Sequence, residues 1–181
     1  SSMFVEQAVR QLLPADRPLT VLDLCAAPGG KSTHMASLMP ANSVLVSNEI
    51  IQSRLPILTE NLVKWGHPNV LITQQDAADF GAAGPAFDCV LIDAPCSGSG
   101  LFRRDPDAMQ EWSEAAVNLC SQRQQRILAD AMPSLQAGGI LIYSTCSYSR
   151  EEDEDILLWI NKHLDVTGYR IKLDEDWGIV E

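Results

Sequence analysis

The stretch that decides the fold is Thr20-Val-Leu-Asp-Leu-Cys-Ala-Ala-Pro-Gly-Gly-Lys31. Its apolar first part, residues 20–24, is typical of a buried strand. A Pro-Gly-Gly turn follows, and the next residues predict a helix over 31–39. Small residues in such a turn let backbone N–H groups and a helix N-terminus approach a ligand closely.

Strands and helices alternate on both sides of this stretch. Further strands are predicted at 43–47, 69–73, 87–92 and 140–144, with one more possible at 166–172. Helices are predicted at 4–13, 51–65, 113–135 and 149–163, and a long loop covers 94–112. This βαβα order predicts an α/β fold, in which a mostly parallel twisted sheet carries helices on both faces. Ligands of such sheets bind at the carboxyl ends of the strands.

Composition indicates one globular domain over residues 1–181, in a chain that is 46% hydrophobic and 20% charged. These values exclude a disordered chain, a collagen and a disulfide scaffold. No apolar run suits a membrane span, the first residues do not resemble a signal peptide, and five cysteines without a CxxC pair indicate reduced thiols. We therefore expect a cytoplasmic protein without a membrane partner.

The net charge of −11 argues against a polyanionic partner, but its distribution weakens that argument. Residues 151–181 hold ten acidic and three basic side chains, so most of the excess lies near the C-terminus. The acidic run at 151–155 is interpreted as a helix start that the helix dipole favours.

Two nucleotide-binding motifs compete for the glycine turn. Gly30-Lys31-Ser32 matches the end of a P-loop, and residues 90–93 could form its second motif, yet Cys25 stands where the P-loop needs glycine. The dinucleotide motif GxGxxG is absent. A P-loop NTPase therefore stays open as an alternative.

An adenosyl cofactor held by carboxylates is the third possibility. Glu49, Asp76 and Asp93 follow three successive predicted strands. Glu49 lies about 20 residues after the turn, where an acid typically binds a ribose hydroxyl. Asp76 is well placed for an exocyclic amine. Each acid alone could equally be a helix cap, but three at strand ends favour a nucleoside cofactor.

Cys96 and Cys146 follow the fourth and fifth predicted strands in polar, tightly turning segments. A doubly wound sheet normally places these strands side by side, so both thiols should face the cofactor crevice. The remaining cysteines are interpreted as packing residues, Cys25 beside the cofactor turn and Cys89 and Cys120 in the core. The histidines share no metal-ligand spacing, and no metal site is expected.

Three motifs together carry a family resemblance: Leu22-Asp-Leu-Cys-Ala-Ala-Pro-Gly-Gly-Lys-Ser32, Asp93-Ala-Pro-Cys-Ser-Gly-Ser-Gly100 and Tyr143-Ser-Thr-Cys-Ser147. Nearly the whole chain resembles the RNA cytosine-5 methyltransferases of the Nop/Sun family. Asn48-Glu49 and Arg103-Arg-Asp-Pro-Asp-Ala108 make it most similar to the branch of bacterial ribosomal RNA small-subunit methyltransferase F.

The resemblance implies a Rossmann-like class I domain that binds S-adenosyl-L-methionine. Glu49 would then bind the ribose and Asp76 the adenine end of the cofactor. Asp93 would lie at the boundary between the cofactor and the target base. By motif position, the methionine part would be surrounded by Cys25, Ala26, Ala27, Pro28, Gly29, Gly30 and Lys31.

The resemblance also implies a two-cysteine mechanism on RNA, with ribosomal RNA of the small subunit as the expected substrate. Cys146 matches the nucleophile that adds to cytosine C6, and Cys96 matches the cysteine that assists product release. Asp93 would hydrogen-bond or protonate the base. Arg103 and Arg104 could contact phosphate. A cofactor-binding module that is catalytically idle and serves in assembly remains a further alternative.

Overall fold

Five parallel strands form the single sheet of the computed structural model, which describes residues 2–178. The strands are β1 Thr20–Asp23, β2 Val44–Asn48, β3 Val70–Thr73, β4 Phe87–Asp93 and β5 Leu135–Ser144. Their order across the sheet is β3-β2-β1-β4-β5, and every pairing is parallel. The order reverses between β1 and β4, which is the switch point where sheets of this kind bind ligands.

Over residues 2–178, seven α-helices connect or flank the strands: α1 Ser2–Leu12, α2 Gly30–Leu38, α3 Leu55–Trp65, α4 Ala77–Ala83, α5 Ala108–Glu111, α6 Glu114–Ala131 and α7 Glu154–His163. Short 3-10 helices cover Gln52–Arg54, Ser99–Leu101, Met132–Ser134, Arg150–Glu152 and Glu175–Trp177. Among the residues described, no helix combines the length and apolar character that crossing a bilayer requires.

The core has two layers because successive strand residues point to opposite faces of the sheet. Val21 of β1 packs with Val5 of α1 and Met35 of α2. Leu22, the next residue, packs with Leu128 of α6 and Ile156 of α7. The α/β fold with helices on both faces, predicted from the alternating pattern, is therefore confirmed.

Two helices were missed by the sequence analysis: α4, and the short α5, which lies within the loop predicted over 94–112. The seven residues of α4, Ala-Ala-Asp-Phe-Gly-Ala-Ala, contain a glycine and too few large apolar residues for a clear helical period. Packing explains the glycine at position 81, because a Cβ there would collide with the backbone carbonyl of Asp130 on α6. The glycine lets α4 and α6 approach closely.

Several predicted boundaries were wrong near the C-terminus. The helix predicted to reach residue 135 ends at Ala131, and β5 begins at Leu135, five residues before the predicted start at 140. The last helix, predicted to begin at residue 149, begins at Glu154, after the 3-10 helix Arg150–Glu152. No strand forms over 166–172, where the backbone of Lys172 instead exchanges two hydrogen bonds with the side chain of Gln11.

Candidate active site

The turn after β1 lies at the carboxyl edge of the sheet and is fixed by backbone hydrogen bonds. The N–H of Ala26 donates to the carbonyl of Asn48 over 2.8 Å, and the N–H of Gly29 donates to the carbonyl of Ala26 over 2.7 Å. Gly29 has a φ of 108°, and a Cβ there would lie 3.2 Å from Cδ1 of Leu58. The positive φ therefore favours glycine, and the space beside Leu58 is tight for any larger residue. The turn leads directly into the N-terminus of α2.

Glu49 follows β2 and is only 2% exposed. Its Oε1 accepts a hydrogen bond from the N–H of Ile51 over 2.9 Å. Its Oε2 lies 3.2 Å from Nη1 of Arg54, yet accepts no well-aligned hydrogen bond from the residues described. A buried carboxylate oxygen with spare capacity is suited to accept hydrogen bonds from ligand hydroxyl groups.

Asp76 follows β3 and is the N-cap of α4. Its side chain accepts from the N–H of Ala78 over 3.1 Å, and Asp79 accepts in return from the N–H of Asp76. The carboxylate is therefore a helix cap, which was the alternative interpretation of this acid, and it also borders the pocket described below. The two roles are compatible because a carboxylate can accept several hydrogen bonds.

Asn48 holds these strand ends in place. Its amide nitrogen donates to the carbonyls of Leu24 (3.1 Å) and Gln75 (3.0 Å). Its amide oxygen accepts from the hydroxyl of Thr73 and the N–H of Gln75, each over 2.9 Å. All four hydrogen-bonding positions of the amide are thus used inside the protein. Asn48 supports the site rather than offering free groups to a ligand.

Cys96 and Cys146 lie together beyond β4 and β5, as their strands predicted. The strand register pairs Asp93 with Ser144, and the two Sγ atoms are 3.1 Å apart. The N–H of Gly100 donates to the carbonyl of Cys146 over 2.7 Å. A Cβ at Gly100 would collide with that carbonyl, so the two loops pack backbone against backbone.

The two thiols differ in acidity. The hydrogen bond from Cys96 lowers the pKa of Cys146 to about 7, although burial opposes this change. The same hydrogen bond and burial raise the pKa of Cys96. Lys31 lowers the pKa of Cys146 further, while Asp93 raises it. Cys146 is therefore the better nucleophile at neutral pH, since the thiolate is the reactive form.

Asp93 links the cofactor turn to the cysteine loops. Its Oδ2 lies 2.6 Å from Nζ of Lys31, and its Oδ1 accepts from the hydroxyl of Ser144 over 2.7 Å. The carboxylate is partly exposed and faces the same pocket as both thiols. It can therefore hold a ligand group between them and the turn.

A pocket of about 530 Å³ opens at this edge of the sheet, a volume within the usual range for a small-molecule site. Seven of the residues predicted for the site line it: Cys25, Ala27, Glu49, Asp76, Asp93, Cys96 and Cys146. In the part of the chain that the structure describes, the lining does not include the predicted residues Ala26, Pro28, Gly29, Gly30, Lys31, Arg103 and Arg104. The first five belong to the adjoining turn, whereas both arginines are exposed in the loop after Leu101.

One wall of the pocket was missed by the sequence analysis. It is formed by Arg123, Arg126, Ile127 and Asp130, which share one face of α6. Their spacing of three and four residues is the helical signal that could have grouped them, but nothing local indicates that this face meets the pocket. Ile50, Ile51 and Arg54 after β2 were also missed.

The remaining cysteines differ from this pair. Burial raises the pKa of Cys89 to about 12 inside the core. Burial also raises the pKa of Cys25 to about 12, and Cys25 both packs against the core and borders the pocket. Within residues 2–178, no group of three or more potential metal ligands is found.

Comparisons with known proteins point to one family. A family model described as 16S rRNA methyltransferase RsmB/F matches residues 10–179. The ribosomal RNA small subunit methyltransferase F of Enterobacter sp. (strain 638) is 39% identical over 170 residues, which cover 90% of this chain and 35% of that protein. Its counterpart in Serratia proteamaculans (strain 568) is 40% identical over 165 residues, covering 87% of this chain and 34% of that protein. The chain thus spans about a third of the length of these curated relatives.

Solved structures agree in fold. The crystal structure of NSun6 from Pyrococcus horikoshii with SFG has a TM-score of 0.76 and 32% identity, over 89% of this chain and 40% of that one. A methyltransferase homolog protein from the same organism has a TM-score of 0.70 and 34% identity, over 91% of this chain and 50% of that one.

Proposed function

Because the chain belongs to the RsmB/F family of 16S rRNA methyltransferases, we propose that it is the catalytic domain of an enzyme that methylates C5 of cytosine in RNA. S-adenosyl-L-methionine is the proposed methyl donor, and ribosomal RNA of the small subunit is the proposed substrate. The names of the curated relatives support the ribosomal substrate. Family membership argues against the P-loop NTPase considered above.

The pocket supports the cofactor because its free polar atoms suit a nucleoside. Glu49 would accept from the ribose hydroxyl groups through Oε2, which accepts no well-aligned hydrogen bond from the described protein. Asp76 would accept from the adenine amine, and the turn from Cys25 to Lys31 would surround the methionine part. When bound there, S-adenosyl-L-methionine supplies an electrophilic methyl group. The crystal structure of NSun6 with SFG gives further support for a ligand in this type of fold.

The observation that carries the proposed chemistry is the 3.1 Å distance between the Sγ atoms of Cys96 and Cys146. Cytosine C5 is a poor nucleophile until a thiolate adds at C6, and the lowered pKa of Cys146 makes that thiolate available at neutral pH. Asp93 would hydrogen-bond the edge of the ring during this attack.

Product release needs a base beside the nucleophile. Once C5 carries the methyl group, its proton must leave so that the Cys146–C6 bond can break and restore the aromatic ring. Cys96 is in contact with the departing sulfur. Once Cys146 is bonded to C6, it no longer accepts the hydrogen bond that raises the pKa of Cys96. Cys96 would then lose its own proton to solvent and take the C5 proton as a thiolate. The target cytosine must be unpaired or flipped out of a helix to reach both thiols.

The test is covalent trapping with a Cys96→Ala variant, incubated with S-adenosyl-L-methionine and small-subunit ribosomal RNA. We expect a protein–RNA adduct on a denaturing gel, and none with Cys96→Ala/Cys146→Ala. An adduct that persists without Cys146 would show that the nucleophile is assigned wrongly. Binding of S-adenosylhomocysteine without adduct or methylation would instead identify an idle cofactor-binding module.

A further inference from the structure

Glu152 is completely buried beneath the two cysteine loops. It ends the 3-10 helix Arg150–Glu152, so it lies just before α7, whose start the acidic run predicted. Glutamate is rarely buried without a partner. No basic side chain forms an ion pair with it among the residues between 2 and 178, so hydrogen bonds must compensate its burial.

Four donors converge on the carboxylate. Oε1 accepts from the N–H of Ser97 (2.8 Å) and from Nε2 of Gln124 (3.1 Å). Oε2 accepts from the hydroxyl groups of Ser97 (2.5 Å) and Ser147 (2.6 Å). Ser97 follows Cys96 directly, and Ser147 follows Cys146 directly. One carboxylate therefore holds the neighbours of both thiols.

Glu152 is itself fixed from two sides. The hydroxyl of Tyr143, on β5, donates to its backbone carbonyl over 2.8 Å. Gln124, on α6, also donates to the carbonyl of Pro95 over 3.0 Å and so holds the chain just before Cys96. The position of Glu152 is thereby tied both to the sheet and to a long helix.

We propose that Glu152 is a positioning residue that keeps Cys96 and Cys146 within hydrogen-bond distance by binding Ser97 and Ser147. The inference deepens the proposed function, on which it rests only for the statement that these thiols react with RNA. A carboxylate fits this position because it is an acceptor without donors and offers about four lone-pair sites for four donors. An amide would place a donor against one of these pairs.

The test is Glu152→Gln, which keeps the volume of the side chain, with Glu151→Gln as the matched control on the same turn. Glu151 is exposed. The readout is the alkylation rate of Cys146 by iodoacetamide as a function of pH, followed in the Cys146 peptide by mass spectrometry, without RNA or cofactor. Thermal unfolding of each variant establishes that the fold is kept.

We expect Glu152→Gln to move the alkylation midpoint to higher pH, because a looser Cys96 donates a weaker hydrogen bond. If the midpoint for Cys146 rises by one pH unit from about 7, the alkylation rate measured at pH 7 falls about fivefold. The direction is decisive, since removing a negative charge would by electrostatics alone lower a thiol pKa. Lys31 and Asp93, the charged groups that act on Cys146, are unchanged in the variant.

Glu151→Gln should retain the midpoint of the unmodified protein. A Glu152→Gln midpoint that is unchanged or lower would overturn the proposal. If Glu152→Gln does not fold, Ser147→Ala removes one of the four donors and leaves the carboxylate. It should raise the midpoint by a smaller amount, and no rise would also overturn the proposal. Because RNA and cofactor are absent, these outcomes do not depend on whether methyl transfer occurs.

Discussion

Nζ of Lys31 lies 2.6 Å from Oδ2 of Asp93, so an ion pair joins the turn after β1 to the end of β4. The two side chains are 15% and 31% exposed. They act on Cys146 in opposite directions, since Lys31 lowers its pKa and Asp93 raises it. The pair therefore connects the proposed cofactor turn electrostatically to the proposed nucleophile.

Asp93→Asn should separate the effect of Asp93 on the target cytosine from its effect on the thiol of Cys146. The amide can still accept from Ser144, but it lacks the charged acceptor that would hydrogen-bond the edge of the cytosine, so we expect methyl transfer to fall about 100-fold or more. Loss of the negative charge should leave alkylation of Cys146 at pH 7 as fast as before, or faster. Methylation assays and thiol alkylation on the same preparation check this. Equal losses in both assays would mean that Asp93 acts on the thiol alone.

The reactivity of Cys146 should depend on pH in a way that reports Cys96. Thiolate predominates above the pKa, so alkylation of Cys146 should rise through pH 7 and level off above it. In Cys96→Ala the donated hydrogen bond is lost, and the midpoint should move toward the ordinary thiol value of about 8.5. Cys120→Ser, outside the pocket lining described, serves as the control and should leave the midpoint in place.

Two substitutions distinguish the cap and ligand roles of Asp76. Asp76→Ala should lose the N-cap of α4, at about 1 kcal/mol of stability, and a charged hydrogen bond to the cofactor, at roughly 1.5–3 kcal/mol of affinity. Asp76→Asn should keep the cap and lose part of the affinity. Calorimetric titration with S-adenosylhomocysteine and thermal unfolding measure the two effects. Wild-type affinity in both variants would remove Asp76 from the cofactor site.

Gly100→Ala should disable the enzyme without removing a reactive group. The added methyl group would collide with the carbonyl of Cys146, so the loops must separate. We expect a loss of about 1–3 kcal/mol in stability, slower methylation and a higher alkylation midpoint for Cys146. The control is Gly168→Ala, where a Cβ meets nothing within 4 Å. Normal activity in Gly100→Ala would contradict the close packing of the two loops.

Asp23 should make stability depend on pH. Burial raises its pKa to about 7, although the hydroxyl of Ser32 donates to it over 2.6 Å. A raised carboxyl pKa means that the folded state favours the protonated form, so ionisation lowers stability progressively between about pH 4 and pH 7. Asp23→Asn should therefore add little stability at pH 4 and about 2–4 kcal/mol at pH 7. Urea unfolding at both pH values measures the difference, and a constant difference would contradict the raised pKa.

The positions of site residues that lie in local sequence motifs were predictable. The apolar strands and the motifs that follow them located the turn at Cys25 and both thiol loops, and the family and the fold inferred from those motifs are confirmed. The structure also brings Cys96 and Cys146 together as the strand order required. The roles assigned to the individual site residues stay predictions.

Residues that act through tertiary packing were not predictable. Glu152 belongs to an acidic run that predicted only a helix start, and the folded chain alone places Ser97 and Ser147 around it. Arg123 lies on a helix whose pocket-facing side is fixed by how α6 packs. The helix α4 was missed because Gly81, which allows close packing, weakens the local helical signal.

The contact between Cys96 and Cys146 also allows the folding of the protein to be followed by thiol cross-linking. The two residues are 50 positions apart, and the pairing of β4 with β5 brings their loops to the same edge of the sheet. Parallel strands with intervening helices are non-local contacts, which form late compared with helices. A short bifunctional thiol reagent added at intervals during refolding would bridge the pair only after this ladder has closed. The time course of cross-linking would then give the rate at which β4 and β5 pair during refolding.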